Sequence, residues 1–538
     1  MIEIKKFQFD SKTLHQALGF YRFGSNWPVV YILLDDRQLP ATRRAYVGKS
    51  QYIQKRAAQH FRDEERRKLS LIYVVGDEDF HASATEDIES WLIRYLSGHQ
   101  PRLVLLNRNK GIVDADYFDR QRYKAKMPTI WQYLQNLGVV CQNLEEIENS
   151  DLFKYSPYKA LTEEQLGIVE SICQDLKQHP ASGRAHLIQG QPGTGKTVLA
   201  SCLLKRLKDD ADARNQNIKI GLVAPNRRLR ESLKDVVGGL DGFHMNMVMS
   251  PYEVVSDYYD LLIVDEAHLL GRPVAQARIG HFRKTSEKLG LDPLKATQLD
   301  WVQHSSKYQV LLYDEEQAVR PANIRSGQIQ SIRSRHHLNK QCRILGGQSY
   351  VDYVTNILND RSPDKQSFGD YAFHLCNRLE DMVSIIQDKE TILGLSRILA
   401  GWSWPWRISD KSTSRSIHIG SMKLAYRSYH DNVKRLDENG RLVDVTAEVD
   451  SIHAVQGYDL NYAGVIIGPD LCYDPHGLET RAVKSNYYDI KGKSSLTNES
   501  ELDTYIKRIY RVLLTRAVYG TYVYICDPRL RRHWRQFF

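Results

Sequence analysis

The sequence predicts an α/β protein in which a small α+β module precedes two α/β halves with parallel sheets. Apolar runs of strand length lie beside helical stripes in the first hundred or so residues, as in a mixed module. From about Leu161 onward, buried strand-like runs alternate with helical stretches, which is the pattern of parallel sheets. The chain has 538 residues, a length typical of about three or four domains.

Composition narrows the class of protein further. Lysine and arginine number 74 against 65 aspartates and glutamates, which gives a formal net charge of +9. This mild excess permits nucleic-acid binding without requiring it. A hydrophobic fraction of 42% supports ordinary cores and disfavours a disordered protein. No apolar run approaches the roughly 20 residues that span a bilayer, and residues 1–10 lack a secretory signal, so we expect a cytoplasmic protein that does not enter membranes.

The cysteines are odd in number and widely scattered. No pair has the spacing of a zinc knuckle. The seven are Cys141, Cys173, Cys202, Cys342, Cys376, Cys472 and Cys526. We expect them to be buried, reduced and structural.

The module begins with a predicted hairpin. The run VVYILL at residues 29–34 and the run AYVG at residues 45–48 flank a polar connection that contains proline. A helix is predicted over residues 51–61 and a third strand over residues 71–75. The next helix carries a one-sided apolar stripe. The members of this stripe are Ile88, Trp91, Leu92, Tyr95 and Leu96.

The rest of the chain divides into a helical connection and two α/β halves. We assign residues 1–125 to the module, 126–155 to the connection, 156–330 to the first half and 331–538 to the second half. Strands of the first half are predicted at residues 185–189, 220–224, 261–264 and 310–313. Strands of the second half are predicted at residues 371–376, 391–395, 463–467 and 521–525.

A phosphate-binding loop is predicted at residues 190–197, which read GQPGTGKT between an apolar strand and a helical run. Its glycines, Gly190, Gly193 and Gly195, let backbone N–H groups face phosphate oxygens, and the helix N-terminus adds partial positive charge. Lys196 is expected to reach the β and γ phosphates of ATP, and Thr197 to hold Mg²⁺. A glycine-rich turn without ligand is disfavoured, because both flanking elements fit.

Two carboxylates end a buried strand in the sequence LLIVDEAH at residues 261–268. Asp265 is expected to bind Mg²⁺ through water, and Glu266 to polarise the water that attacks the phosphate. Solvated acids at a strand end are the alternative. The phosphate-binding loop upstream favours the catalytic interpretation.

From about Leu161 to its end, the chain resembles a superfamily 1 helicase motor, and most closely the Schlafen group 3 helicase-like family. The resemblance implies two RecA-like domains with nucleotide at their interface. Gln165 in LTEEQ resembles the glutamine that reads adenine, and Gln317 in DEEQ matches the third motif, which senses the γ-phosphate. The tetrad DEAH departs from the pattern, because it is more usual in superfamily 2.

Later segments extend the resemblance into the second half. LNKQCR resembles the fourth motif and offers Arg343 to the phosphates. HAVQGYD resembles the fifth motif and places Gln456 and Gly457 at the nucleotide. VLLTRA resembles the sixth motif, with Arg516 as arginine finger. Taken singly, Arg516 could be a surface ion pair and Gln317 a loop amide, but the order of all the motifs favours a motor.

The module resembles the GIY-YIG nuclease family over about residues 29–110. The two triads of the family appear as VVY, which ends at Tyr31, and YVG, which begins at Tyr46. Arg56 and His60 follow four residues apart, on one face of a helix. The first triad has valine in place of glycine, and the connection between the tyrosines is long for the family.

The same resemblance implies phosphodiester hydrolysis at one divalent ion. Glu89 would bind Mg²⁺ or Mn²⁺, with Glu86 as a competitor, and Asn107 fits the last asparagine of the family. Arg56 would stabilise the charged transition state. The attacking water would be deprotonated or oriented by Tyr31 or Tyr46 and by His60, with help from a nearby cation, since an ordinary tyrosine has a pKa of about 10.

These expectations combine into an ATP-dependent nuclease-helicase that acts on nucleic acid, with DNA favoured over RNA. Such a fusion suits bacterial defence against phage or plasmid DNA, and its partner would be a second copy or a second defence protein. Two alternatives stay open. One is a nucleic-acid-sensing ATPase switch whose nuclease fold does not cleave. The other is a structure-specific endonuclease of DNA repair or of a mobile element.

Overall fold

The computed structural model describes residues 1–36, 43–99, 103–107, 117–179, 184–274, 279–405, 417–426, 448–455, 459–489, 493 and 499–538. The chain forms two compact units, each built from several segments. The first unit comprises Met1–Ser182, Thr197–Leu222 and Arg230–Met249. The second comprises Gly183–Lys196, Val223–Leu229 and Ser250–Phe538.

The first unit contains a largely antiparallel sheet. Its strands are β1 (Glu3–Gln8), β2 (Val29–Leu34), β3 (Arg44–Ser50), β4 (Leu71–Gly76) and β5 (Val104–Leu105). Their order across the sheet is β1-β4-β2-β3-β5, and β3 and β5 run parallel. The predicted hairpin is confirmed, because β2 and β3 pair antiparallel along their length. Every residue of β2 and β4 is buried, so these strands form the centre of the module.

Helices cover the sheet and continue beyond it. They are α1 (Leu14–Gly19), α2 (Ile53–His60), α3 (Ala82–Gly98), α4 (Arg120–Lys124), α5 (Met127–Asn136), α6 (Leu144–Glu148), α7 (Asp151–Lys154) and α8 (Glu163–Gln178). The helices predicted around α2 and α3 are confirmed, and Ile88, Leu92 and Leu96 of the predicted stripe are buried. The sequence prediction missed β1 and α1, because the charged edge strand EIKKFQ has half of its residues exposed and shows no continuous apolar run.

The segment predicted as a connection, residues 126–155, is helical as expected and packs onto α3. Trp131 of α5 is 1% exposed. The Tyr95 ring of α3 lies 4.8 Å from the Phe153 ring of α7, and its hydroxyl donates to Glu148 at 2.5 Å. These contacts make the segment part of the packing around α3, whereas the domain boundaries proposed above stay predictions.

The chain then enters the predicted series of alternating strands and helices. Its elements are β6 (Ala185–Gly190), α9 (Lys196–Asp212), β7 (Ile220–Val223), α10 (Arg227–Val237), β8 (Val248–Met249), β9 (Tyr259–Val264), α11 (Ile279–Lys288), α12 (Gln298–His304), β10 (Ser306–Tyr313) and β11 (Ser334–Leu338). Within the second unit, β11, β6, β10 and β9 lie side by side in that order and all pair in parallel. The prediction of a parallel sheet is thereby confirmed.

A second sheet follows in the same unit. Its strands are β12 (Ala372–Leu375), β13 (Ser396–Ala400), β14 (Ile417–Ile419), β15 (Met422–Tyr426), β16 (Glu448–Ser451), β17 (Leu460–Ile467) and, after the hairpin of β18 (Leu471–Asp474) and β19 (Glu479–Ala482), β20 (Ala517–Ile525). Their order is β12-β20-β17-β13-β16-β15-β14. These pairs are parallel except for the hairpin of β14 with β15 at the edge.

The helices of this part pack on the second sheet or end near it. They are α13 (Gly347–Leu358), α14 (Leu379–Leu393), α15 (Ile452–Val455), α16 (Glu499–Leu514) and α17 (Pro528–Trp534). One predicted strand is wrong: residues 391–395 form the end of α14 and a turn, in which Gly394 and Leu395 have φ values of 66° and 48°. The strand β13 begins at Ser396, directly after the predicted strand ends, because the left-handed residues Gly394 and Leu395 terminate the helix there.

Among the described helices, none combines the length and the apolar character that crossing a bilayer requires. All seven cysteines are free thiols. The expectation that they are buried is confirmed for Cys173, Cys202 and Cys376. It is wrong for the exposed Cys141 and Cys342 and for the partly exposed Cys472 and Cys526.

Candidate active sites

The predicted phosphate-binding loop connects β6 to α9 in a conformation that requires glycine. Gly193 and Gly195 have φ values of +86° and +80°, in the left-handed region. A Cβ atom at Gly193 would lie 2.0 Å from Oε1 of Gln341. The Gln341 side chain occupies that space and donates to the Pro192 carbonyl at 2.7 Å, which ties the loop to the segment after β11.

The lysine of the loop is buried and bonded to the loop itself. Its Nζ donates to the carbonyls of Gly190 at 2.7 Å and Gln191 at 3.0 Å. The same nitrogen lies 3.6 Å from the carboxylate of Asp314. Lys196 therefore has its charge next to a carboxylate that follows β10. Thr197, the next residue, is half-buried in the first turn of α9.

The two acids after β9 take different positions. Asp265 is fully buried, and its Oδ1 accepts from the Glu266 backbone N–H at 3.0 Å. Glu266 has a φ of 52°, a left-handed conformation that is uncommon outside glycine. Its carboxylate lies 3.0 Å from Nε2 of the buried His268. The turn thus directs two neighbouring carboxylates into the interior.

The charge of Glu266 is set by its neighbours. Burial alone would raise the pKa of this carboxyl, but His268, Lys196 and Arg516 together hold the pKa well below its usual range. Glu266 is therefore ionised at neutral pH. Lys196 of the loop and Arg516 after α16 therefore both act electrostatically on Glu266.

The third-motif glutamine joins this group through Asp314. Gln317 is buried and donates from Nε2 to Oδ2 of Asp314 at 2.8 Å, and Oδ1 of Asp314 accepts from the backbone N–H of Glu316 at 3.1 Å. Because the same carboxylate lies beside Lys196, the structure links the loop lysine and Gln317 through one shared side chain.

Arg343 is brought near Arg516 but is engaged by protein groups. Its Nη1 donates to Asp459 at 2.8 Å, and its Nη2 donates to the carbonyl of Thr515 at 3.1 Å. A carboxylate therefore neutralises the guanidinium that the sequence offered to phosphate. Gln456 and Gly457, the other residues of the fifth motif, lie outside the described residues.

Gln165 serves its own helix. Its Oε1 accepts from the backbone N–H of Thr162 at 3.0 Å, while the hydroxyl of Thr162 accepts from the backbone N–H of Gln165 at 3.2 Å. This reciprocal pair is a capping box at the start of α8. The side chain predicted to contact adenine thus accepts a hydrogen bond at a helix terminus.

Sequence reasoning missed Arg511, an arginine that contacts the phosphate-binding loop. Arg511 of α16 donates from Nη2 to Oε1 of Gln191 at 3.3 Å, and Gln348 of α13 donates to the same oxygen at 2.8 Å. A sequence signal was available, because Arg511 interrupts the apolar run IYRVLL, where a charge has to find a buried partner.

The first unit gathers a separate cluster of side chains from β2 and α2. The hydroxyl of Tyr31 lies 2.7 Å from Nε2 of His60, and Nε of Arg56 donates to the same hydroxyl at 3.3 Å. The ring of Tyr46 lies 5.1 Å from that of His60. Arg66 approaches His60 from the other side, with Nη1 3.3 Å from Nδ1.

Gly48 allows this cluster to pack. A Cβ atom there would lie 2.4 Å from the hydroxyl oxygen of Tyr31 and 3.0 Å from Cε1 of Tyr46. The side chains of Tyr31 and Tyr46 fill the space that a Cβ atom would need, and this explains the glycine that ends the second triad.

Burial controls the protonation of the cluster. Burial raises the pKa of the Tyr31 hydroxyl, and the hydrogen bond and positive charge of Arg56 offset only part of this rise. It lowers the pKa of His60 to about 4, and the cations of Arg66 and Arg56 add to the effect. His60 is therefore neutral at pH 7. Since Arg66 can only donate, Nδ1 of His60 is the acceptor and Nε2 carries the hydrogen that points to Tyr31.

Glu89 of α3 completes the group. Burial raises the pKa of its carboxyl to about 7, while Lys49 and Arg56 lower it and Glu86 raises it. Glu86, the competitor, is 70% exposed and pairs with Lys49 at 3.0 Å. The structure therefore places Glu89, rather than Glu86, in the partly buried environment near Arg56 and Tyr31.

Asn107 has a structural contact instead. Its side chain donates to the Val47 carbonyl at 2.8 Å and accepts from the Val47 N–H at 3.0 Å, while its own carbonyl accepts from Tyr158 at 3.0 Å. The two hydrogen bonds to Val47 extend the edge of β3. The predicted terminal asparagine thus fixes the strand that carries Tyr46.

The described residues contain no group of three or more histidine, cysteine, aspartate or glutamate side chains arranged for a metal ion. A divalent ion in either place would therefore have few protein ligands. The buried carboxylate of Asp265 and the partly buried carboxylate of Glu89 are hard oxygen ligands of the type that Mg²⁺ prefers. For Glu89 the raised pKa fits as well, because a bound cation would offset the cost of burying its charge.

Together, the glycine loop after a parallel strand, its buried lysine and the paired acids define the second unit as a P-loop α/β protein. The family model described as "Schlafen group 3, DNA/RNA helicase domain" matches residues 184–527. The chain belongs to this Schlafen group 3 helicase family, so its P-loop part is helicase-like. The match lies outside the cluster of Tyr31, His60 and Glu89.

Further similarities are weaker. The uncharacterized protein YPL245W of Saccharomyces cerevisiae is 24% identical over 399 residues, which cover 66% of this chain and 84% of the yeast protein. The crystal structure of Pif1 helicase from Candida albicans is 12% identical with a TM-score of 0.28, covering 70% of this chain and 99% of that one. Mss116p bound to ssRNA and AMP-PNP is 12% identical with a TM-score of 0.31, covering 75% and 76%. At such low TM-scores the structural likeness says nothing about what this chain does.

Proposed function

We propose that this chain is an ATP-dependent helicase or translocase coupled to a metal-dependent endonuclease. The observation that carries the motor is the convergence of Lys196, Asp314, Gln317 and Arg516 with an ionised Glu266, in a chain that belongs to a helicase family. This set has the residue types that bind phosphates, position water and neutralise developing charge.

In the ATPase site, Lys196 would exchange the loop carbonyls for phosphate oxygens. Glu266, ionised and held near His268, would accept or orient the proton of the attacking water. Arg516 would stabilise the charge that develops on the phosphate. Thr197 and Asp265 would hold Mg²⁺, which neutralises phosphate charge when bound.

The observation that carries the nuclease is the cluster of Tyr31, His60, Arg56 and Glu89 in the first unit. The hydroxyl oxygen of Tyr31 receives N–H groups from His60 and Arg56, so its own hydrogen is free to point to a water or a phosphate oxygen. Arg56 would also stabilise the pentavalent phosphate. Glu89 would hold Mg²⁺ or Mn²⁺, which stabilises the leaving oxygen when bound.

The double function is tested with two point variants of the full chain. We expect Lys196→Ala to abolish ATP hydrolysis and Glu89→Ala to abolish cleavage of single-stranded DNA, double-stranded DNA and RNA. Glu86→Ala is the matched control, because it removes a carboxylate one turn away on the exposed side of α3. Assays with Mg²⁺ and with Mn²⁺, each with and without ATP, report whether hydrolysis fuels or gates cleavage.

The same assays separate the alternatives. Full cleavage by Glu89→Ala on every substrate would show that the cluster is not a nuclease site. ATP hydrolysis stimulated by DNA, without cleavage under any divalent ion, would favour a sensor whose first unit only binds. Cleavage confined to branched DNA would favour a repair or mobile-element enzyme. We favour DNA as substrate and defence against phage or plasmid DNA as the role, which a plaque assay with Lys196→Ala and Glu89→Ala tests in a bacterial host.

A further inference from the structure

Arg511 lies inside the second unit at the phosphate-binding loop. It belongs to α16 and is 4% exposed. Its Nε donates to the Thr355 hydroxyl of α13 at 2.9 Å, and its Nη2 donates to Oε1 of Gln191 at 3.3 Å. Both partners are neutral. The guanidinium is thus fixed at two of its donors, next to the second residue of the loop.

The charge of Arg511 is not balanced in this position. Among the residues that the structure describes, no carboxylate pairs with it, and its Nη1 is buried without a hydrogen-bond partner. A buried cation without a counter-ion is costly, and a buried donor without a partner adds to that cost. Arg343 is the useful contrast, because Asp459 neutralises it at 2.8 Å.

A second cation contacts the same loop residue. Lys196 donates to the backbone carbonyl of Gln191 at 3.0 Å, while Arg511 contacts the side-chain oxygen. One neutral glutamine therefore holds two positive groups in the P-loop region. An anion bound in the loop would meet both, and it would supply the negative charge that the described residues around Arg511 lack.

We propose that Arg511 binds the terminal phosphate of the nucleoside triphosphate, as a phosphate contact in addition to Arg516. The inference rests on the proposed ATP site. Gln191 holds the guanidinium close to the loop before nucleotide binds, and Nη1 and Nη2 then form the two donors of a bidentate contact with phosphate oxygens. Thr355 keeps the stem of the side chain in place throughout.

The experiment measures the dissociation constants of fluorescent ATP and ADP analogues for the full chain and for Arg511→Gln. We expect the ATP constant to rise about 10- to 100-fold, the loss of one or two charged hydrogen bonds, while the ADP constant changes less than about twofold. Arg511→Lys keeps the charge but not the fork, so its effect falls between. Lys507→Gln is the matched control, because it removes a cation of the same helix that is paired with Asp360 and Asp503.

The ratio of the two constants distinguishes a phosphate contact from a structural role. A structural role would weaken ATP and ADP alike, and a ratio unchanged from wild type in folded Arg511→Gln overturns the proposal. If Arg511→Gln fails to fold, Arg511→Lys and Thr355→Val carry the test, and wild-type ratios in both overturn it. If Lys196→Ala also leaves ATP binding unchanged, the proposed ATP site itself is wrong, which is a different outcome.

Discussion

Replacing Gly48 by alanine should disrupt the cluster around Tyr31 without removing any of its polar groups. The added Cβ atom would lie 2.4 Å from the Tyr31 hydroxyl, whereas ordinary contact begins at 3.4 Å, so the hydroxyl has to move by about 1 Å. A displacement of that size breaks the 2.7 Å contact with His60. Overpacking and the lost hydrogen bond together should lower the free energy of unfolding of the first unit by about 2–4 kcal/mol.

Gly167→Ala is the matched control for this substitution. Gly167 is exposed in α8, and a Cβ atom there meets nothing within 4 Å. Alanine should therefore stabilise the helix by about 0.5–1 kcal/mol. Hydrogen exchange of peptides from β2 and β3, followed in the full chain, gives the local stability, and urea unfolding gives the midpoint. Equal exchange in Gly48→Ala and wild type would refute the steric argument.

Three further predictions concern charge and exposure. Glu266→Gln should lower the rate of ATP hydrolysis at least about 100-fold with ATP binding retained, measured by phosphate release and nucleotide titration, since an amide cannot accept the proton of water. His60 takes up a proton near pH 6.5 in the unfolded chain but only near pH 4 in the folded chain. Wild type should therefore lose about 1–3 kcal/mol of its free energy of unfolding as the pH falls through this window. The variant His60→Gln should not show this part of the loss. In the native protein, Cys141 and Cys342 should react with a thiol reagent before the buried cysteines, as measured by mass spectrometry of labelled peptides. Labelling of a buried thiol first would contradict this prediction.

The elements that sequence predicted well are those with strong apolar runs. β2, β4 and β9 are buried over most or all of their length, and their hydrophobic sequences mark them without any knowledge of partners. The edge strand β1 and the turn at Leu395 are different. An edge strand needs no continuous apolar run, and a left-handed turn at a leucine has no clear sequence signal.

The candidate sites show a similar division. Motifs located Lys196, Glu266 and Arg516 in the chain, because loop and strand-end chemistry depends on residue type and local order. They did not show that Asp459 would neutralise Arg343, since the partners are 116 residues apart. The capping role of the Gln165 side chain was visible in principle as the pattern T-x-x-Q, but the same letters also fit an adenine contact.

The packing of residues 126–155 against α3 determines how the chain can be divided for experiments. α3 carries Glu89, and its outer face is covered by residues that include Trp131 and Phe153. A fragment that ends at residue 125 would leave Tyr95 without both rings and Asp77 without its ion pair to Lys126 at 2.9 Å. Tyr158 would be lost as well, and with it the hydrogen bond to Asn107. An autonomous N-terminal piece should therefore extend beyond Tyr158, and inactivity of a shorter one would report unfolding rather than absent chemistry.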